Sequence, residues 1–83
     1  MQIRLHPHAK QRIMERGTTK AEVMATVREG ERFPAKFSRT GFRRNFSFEG
    51  EWLGHRYATK QLEIYAVEEG KGWLVISVIT KYF

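Results

Sequence analysis

The hydrophobic period of this chain changes once, near Gly30. Up to that point apolar residues recur at helical spacing; from Arg32 onward they alternate, as in a strand with two unlike faces. The pattern predicts an α+β domain in which two N-terminal helices pack on one face of a meandering, twisted antiparallel sheet of four to five strands.

The first helix is expected over about residues 7–17. In "HPHAKQRIMERG", Pro7 falls in the first turn and Gly17 past the end, with His6 in the cap region. Ala9 and Ile13 share its apolar face, and Met14 borders it. The second helix is expected over about 19–30, because Thr19 stands three residues before Glu22, the spacing of a capping box. Val23, Met24 and Val27 form its apolar stripe, Arg28 suits the last turn, and Gly30 stops it. Gly17 and Thr18 are a short connection, so the helices should form an antiparallel or sharply angled hairpin.

Strands are expected over about 32–37, 42–48, 52–58, 60–69 and 73–82; Met1–Leu5 is a short alternating piece not counted among them. Phe42, Arg44, Phe46 and Phe48 share one face, and Arg43, Asn45, Ser47 and Glu49 the other. Gly50 between two glutamates reads as a turn, Gly54 as another turn or a bulge, and Gly70–Lys71–Gly72 as a tight hairpin. The last strand is apolar on both faces, which predicts a central place in the sheet.

At 83 residues the chain suits one domain with one modest core. Its formal charge of +6 is unevenly spread. Residues 1–31 carry six basic and four acidic groups, 32–48 five and none, and 49–83 four and five. The basic middle also holds five of the six phenylalanines. Such a segment attracts polyanions, so nucleic acid is the expected partner class, with Lys36, Arg39, Arg43 and Arg44 as its contacts and Tyr82 as a stacking candidate. Phosphate contacts of this kind position a strand without reading its sequence.

Without cysteine there is neither a disulfide framework nor a thiolate metal site, and a reducing cytoplasm suits the composition. No signal-peptide core or membrane-length apolar run is present, so no membrane partner is expected. His6, His8 and His55 lack the spacing of a catalytic zinc set, and no serine lies in a nucleophile elbow. Neither a metal nor another cofactor is expected.

Acid–base chemistry has a better candidate on the first helix. With about 100° per residue, Arg12 falls about 40° and Arg16 about 80° from His8, beside the apolar face. Histidine titrates near neutral pH, and arginine presents a fixed fork to phosphate oxygens. For RNA that set suffices without a metal: His8 as base or acid for the 2′-hydroxyl route, and Arg12 and Arg16 as stabilisers of the charged phosphorane. Lys60, Thr80 and Tyr82 are further candidates on the strands. The plainer alternative is a solvated helix face on which Glu15 pairs with Arg12 or Arg16.

"HPHAKQRIMERGTTKAEVMATVREGE", with its His-Ala and its "ERG", resembles the opening of the small prokaryotic domain-of-unknown-function family 4258. The closing "WLVISVITKYF" is similar to that family's last strand. The resemblance implies a place in the barnase, EndoU, colicin and RelE-type toxin fold group, with helices on a four- or five-stranded antiparallel sheet and metal-independent ribonuclease activity in many members. It maps the family histidine to His8, the helix arginines to Arg12 and Arg16 and the terminal threonine to Thr80; Lys60 rests on a polar position at the start of the penultimate strand. The leading expectation is a toxin-type endoribonuclease held in check by an acidic antitoxin or immunity protein. The alternatives are a non-catalytic RNA-binding or ribosome-associated module, and an interaction protein for an acidic partner.

Overall fold

A computed structural model describes residues 2–83, so Met1 lies outside the described residues. The order is β1 (Ile3–Leu5), α1 (Pro7–Glu15), α2 (Lys20–Glu29), β2 (Glu31–Pro34), β3 (Thr40–Trp52), β4 (His55–Glu69) and β5 (Gly72–Tyr82). One sheet takes all five strands in the order β1-β5-β4-β3-β2. The α+β class and both helices agree with the sequence reading. Three features of the sheet do not.

First, the sheet is mixed. Ile3, Arg4 and Leu5 pair in parallel with Trp73, Leu74 and Val75, so the N-terminal piece is a strand. Second, residues 52–58 and 60–69 do not form two strands. β4 runs unbroken because Gly50 makes a bulge, not a turn: Ser47 faces Thr59 and Gly50 faces Tyr57, leaving one extra residue in β3, with Glu49 at φ +48. The turn lies at Leu53–Gly54, where both residues have positive φ. Third, β4 and not β5 is central. β5 has β1 beside it for only three residues, and α1 packs against the strand.

Local chemistry explains the helix ends. His6 caps α1 by accepting the His8 N–H on Nδ1 at 3.2 Å, and Pro7 occupies the first turn. Thr19 Oγ1 accepts from Glu22 N at 3.1 Å while the Glu22 carboxylate accepts from Thr19 N at 3.2 Å, which is the capping box. Thr26, buried in α2, donates its hydroxyl to Glu22 O.

The core lies between the helices and one sheet face. Ala9, Ile13, Val23 and Val27 meet Phe42, Leu62, Ile64, Ala66, Trp73, Val75 and Val78, with Phe46 and Met24 partly buried at the margin. Each fully buried aliphatic contributes about 1.5–3 kcal/mol. Leu62, Ile64 and Ala66 of β4 enter this core, so Gln61, Glu63, Tyr65 and Val67 project from the face the helices leave uncovered.

Candidate nucleic-acid interface

The residues singled out on α1 and at the sheet seam fall into two groups. His8 stands at the N-terminal end of α1, exposed, its ring stacked 5.3 Å from that of His6. Arg12, one turn on, pairs with Glu15 at 3.0 Å on the solvent side. Arg16 is the C-cap, about 12 Å along the axis from His8 at 1.5 Å per residue.

Lys60, Thr80 and Tyr82 gather at this far end, and each donates to the backbone or to α2. Thr80 Oγ1 and Tyr82 OH both donate to Arg16 O, at 3.1 and 2.8 Å. Lys60 Nζ donates to Gly17 O at 3.0 Å and to Glu22 Oε1 at 2.8 Å. Glu22 Oε1 also accepts from Thr18 Oγ1 at 2.9 Å. Three strand side chains thus cap the carbonyls that helix α1 leaves open and tie the α1–α2 corner to the sheet. The aromatic rings below complete the seal. Trp52 stacks on Tyr82 at 5.1 Å, and Phe48 meets Tyr82 edge-on. Gly17, at φ +71, leaves room for the Trp52 ring, which a Cβ there would meet at 2.5 Å. Burial raises the Tyr82 phenol pKa, which keeps it in the neutral form that donates.

Arg44 shares the phenylalanine face, as its parity requires. It lies 3.5 Å from Glu29 at the end of α2, its guanidinium over the Phe46 ring.

The uncovered face carries a second polar set. Glu63 sits at its centre and is only 7% exposed although no helix covers it. Its carboxylate accepts from Lys81 Nζ at 2.9 Å and from Tyr65 OH at 2.7 Å, with Arg43 Nε at 3.6 Å. The Lys81 and Tyr65 hydrogen bonds hold its pKa below the ordinary carboxylate value, against the opposing effect of burial. The bond to Glu63 raises the Tyr65 pKa in return. Arg43 also reaches Glu31 at 3.0 Å, so its charge is matched on two sides.

Beside this set, β2 and β3 are joined by a turn over Lys36–Arg39, in which Arg39 N donates to Lys36 O at 3.2 Å. Its two central residues, Phe37 and Ser38, have φ of +60 and +58, the type I′ arrangement that glycine and asparagine usually fill. Between this turn and the sheet lies a cavity of about 410 Å³. Phe33, Pro34, Phe37 and Tyr65 supply its apolar lining and Lys36 and Arg39 its charge, with no acid among the lining residues. The Phe33 ring lies across Gly41, where a Cβ would collide with it, and meets Tyr65 edge-on. Among the described residues neither Lys36 nor Arg39 makes an ion pair.

The sequence reading named Lys36, Arg39 and Arg43 but passed over Phe33, Phe37, Glu63, Tyr65 and Lys81. A signal existed for three of them. Tyr65 and Glu63 alternate with the core residues Leu62, Ile64 and Ala66, which assigns them to the opposite face. Phe37 lies between Pro34 and Gly41 with a cation on each side, a position in which a core role is hard to build. No family model, curated protein or solved structure matches the chain.

Proposed function

We propose that this protein binds single-stranded RNA on the uncovered sheet face and the β2–β3 hairpin. The observation that carries this reading is the free charge of Lys36 and Arg39 beside exposed and half-buried rings, on the one sheet face without a helix. Aromatic rings on an open sheet offer stacking to unpaired bases, and cations around them take the phosphates. The chain's excess positive charge favours the same partner.

Filter-binding or anisotropy titrations over a range of salt test it. A single-stranded RNA should bind with a log–log salt slope that falls by about 0.7 for each of Lys36→Ala and Arg39→Ala, since each phosphate contact releases its counterions. Binding whose salt slope ignores both substitutions would count against this surface.

The second reading is metal-independent cleavage, through its 2′-hydroxyl, of an RNA that passes over α1 on the helix side of the sheet. What favours it is the placement of Arg16, whose carbonyl Thr80 and Tyr82 fix while its side chain makes no ion pair among the described residues. His8 would be the proton carrier and Arg12 the nearer phosphate partner. His8→Ala would then abolish cleavage of bound RNA while leaving its binding and the fold unchanged; RNA left intact by the wild type after long incubation removes this reading and spares the first.

A further inference from the structure

The two sheet hairpins that end in exposed apolar side chains are built alike and differ in what surrounds them. At one end of β3, Phe37 is 82% exposed with φ +60; at the other, Leu53 is 81% exposed with φ +51. The left-handed region costs a non-glycine residue about 1–2 kcal/mol, and exposing a large ring returns nothing to the fold. Strain of this kind at a surface position points to a role outside folding. Only the Phe37 turn combines it with two unpaired cations and a hollow lined by other rings.

We propose that the hollow holds one unpaired nucleobase of a single-stranded nucleic acid, stacked against Phe37, with Lys36 and Arg39 on the phosphates to either side. This rests on the RNA-binding reading and assigns it a subsite. The chemistry of the lining selects that occupant. Its volume falls within the range of about 300–1,000 Å³ typical of small-ligand pockets, and its apolar walls suit a flat ring. Cations at the rim ask for an anion attached to that ring, and the lack of an acid removes repulsion. A base flanked by phosphates has both properties. Ser77, on the wall formed by β5, offers a hydroxyl to the base edge. Duplex bases are stacked on their neighbours and cannot enter, so the site discriminates between single and double strands.

The type I′ geometry directs the ring. A residue with an ordinary φ at position 37 would open the turn that Arg39 N and Lys36 O close. The turn therefore sets the direction of the Phe37 Cα–Cβ bond at the edge of the hollow that its ring lines. Arg39 lies 5.9 Å from its ring and can follow it onto a bound base.

The test uses the intact protein and four labelled probes: a 12-nucleotide oligouridine, its DNA counterpart, a mixed-sequence single strand and an RNA duplex of equal length. Phe37→Ala should weaken single-strand binding about 5- to 140-fold, the effect of one lost base stack, with the salt slope unchanged because no charge is removed. Duplex binding should not change. Phe37→Trp should restore single-strand affinity, and Leu53→Ala, which leaves an equally exposed tip truncated, should match the wild type. Equal affinity of wild type and Phe37→Ala for every single strand overturns the subsite and leaves the RNA-binding reading standing. An equal loss on the duplex also overturns it. Absence of binding by the wild type overturns both. RNA and DNA strands that respond equally to Phe37→Ala support the subsite and place any preference for RNA elsewhere on the surface.

Discussion

Lys60 and Glu63 stand three residues apart on β4, both almost fully withdrawn from solvent, on opposite faces of one sheet. Lys60 is enclosed by the α1–α2 corner and spends its donors on Gly17 O and Glu22. Glu63 has no helix above it and is enclosed by Lys81, Tyr65 and Arg43, its own sheet neighbours. A charge sealed by secondary structure is committed to holding that structure. One sealed by side chains alone, on a face that no helix covers, is held by its hydrogen bonds and ion pairs. This contrast is why Lys60, Thr80 and Tyr82 hold the α1–α2 corner, whereas the Glu63 cluster ties together only strands of the sheet.

Four changes would break or sharpen the contrast. Lys60→Met should have the largest effect, a loss of about 3 kcal/mol, the low end of the range for removing one partner of a buried pair, because Glu22 keeps some solvent. Chemical denaturation reads it, and stability equal to wild type would show that the corner does not depend on this tie. Gly17→Ala should follow at about 2 kcal/mol, from the left-handed φ and the contact with Trp52. A shift in near-ultraviolet circular dichroism as the indole moves would locate the damage.

Glu63→Gln should cost less, about 1–2 kcal/mol at neutral pH, since Lys81 and Arg43 return to water when released. Its signature is the acid limb. The folded-state pKa of Glu63 lies below its ordinary value, so its contribution is complete above the ordinary value of 4.5 and is lost as pH falls through the folded one. Thermal melts between pH 7 and pH 3 should therefore converge for wild type and Glu63→Gln at the acid end; curves that stay parallel would contradict the linkage. His8→Ala should be smallest, within about 0.5 kcal/mol, as expected for an exposed ring stacked on His6. A larger loss would mean that the stack helps to start α1.

Much of the fold was legible because the deciding signals are local. Thr19 with Glu22, Pro7 with Gly17, and Gly70 with Gly72 each act within a few residues, and each marks the boundary it was expected to mark. β1 escaped because its alternation runs over too few residues to mark a strand and its partner lies 70 positions later. Gly50 misled because a glycine between glutamates signals a turn, and only the pairing of Ser47 with Thr59 and of Gly50 with Tyr57 shows a bulge. At the site, the basic character of 32–48 was visible in composition, but not that Arg43 would be matched by two glutamates while Lys36 and Arg39 stay free. Lys60 was opaque for a related reason. A lysine's long stem suits solvent or burial equally, and its choice depends on a carbonyl 43 residues away.

The parallel pairing of β1 with β5 imposes an order on the chain's own assembly. The β3–β4 ribbon can zip from the Leu53–Gly54 turn as soon as its residues meet, since every step closes a short loop. Ile3–Leu5 cannot settle until Trp73–Val75 is in place, and the corner at Gly17 waits for Lys60, Thr80 and Tyr82. The first residues along the chain thus become native last. In pulse-labelled refolding, amides of the β3–β4 ladder should gain protection before those of α1 and of the β1–β5 pairing, and the sheet face proposed to meet RNA would be complete while the corner is still open.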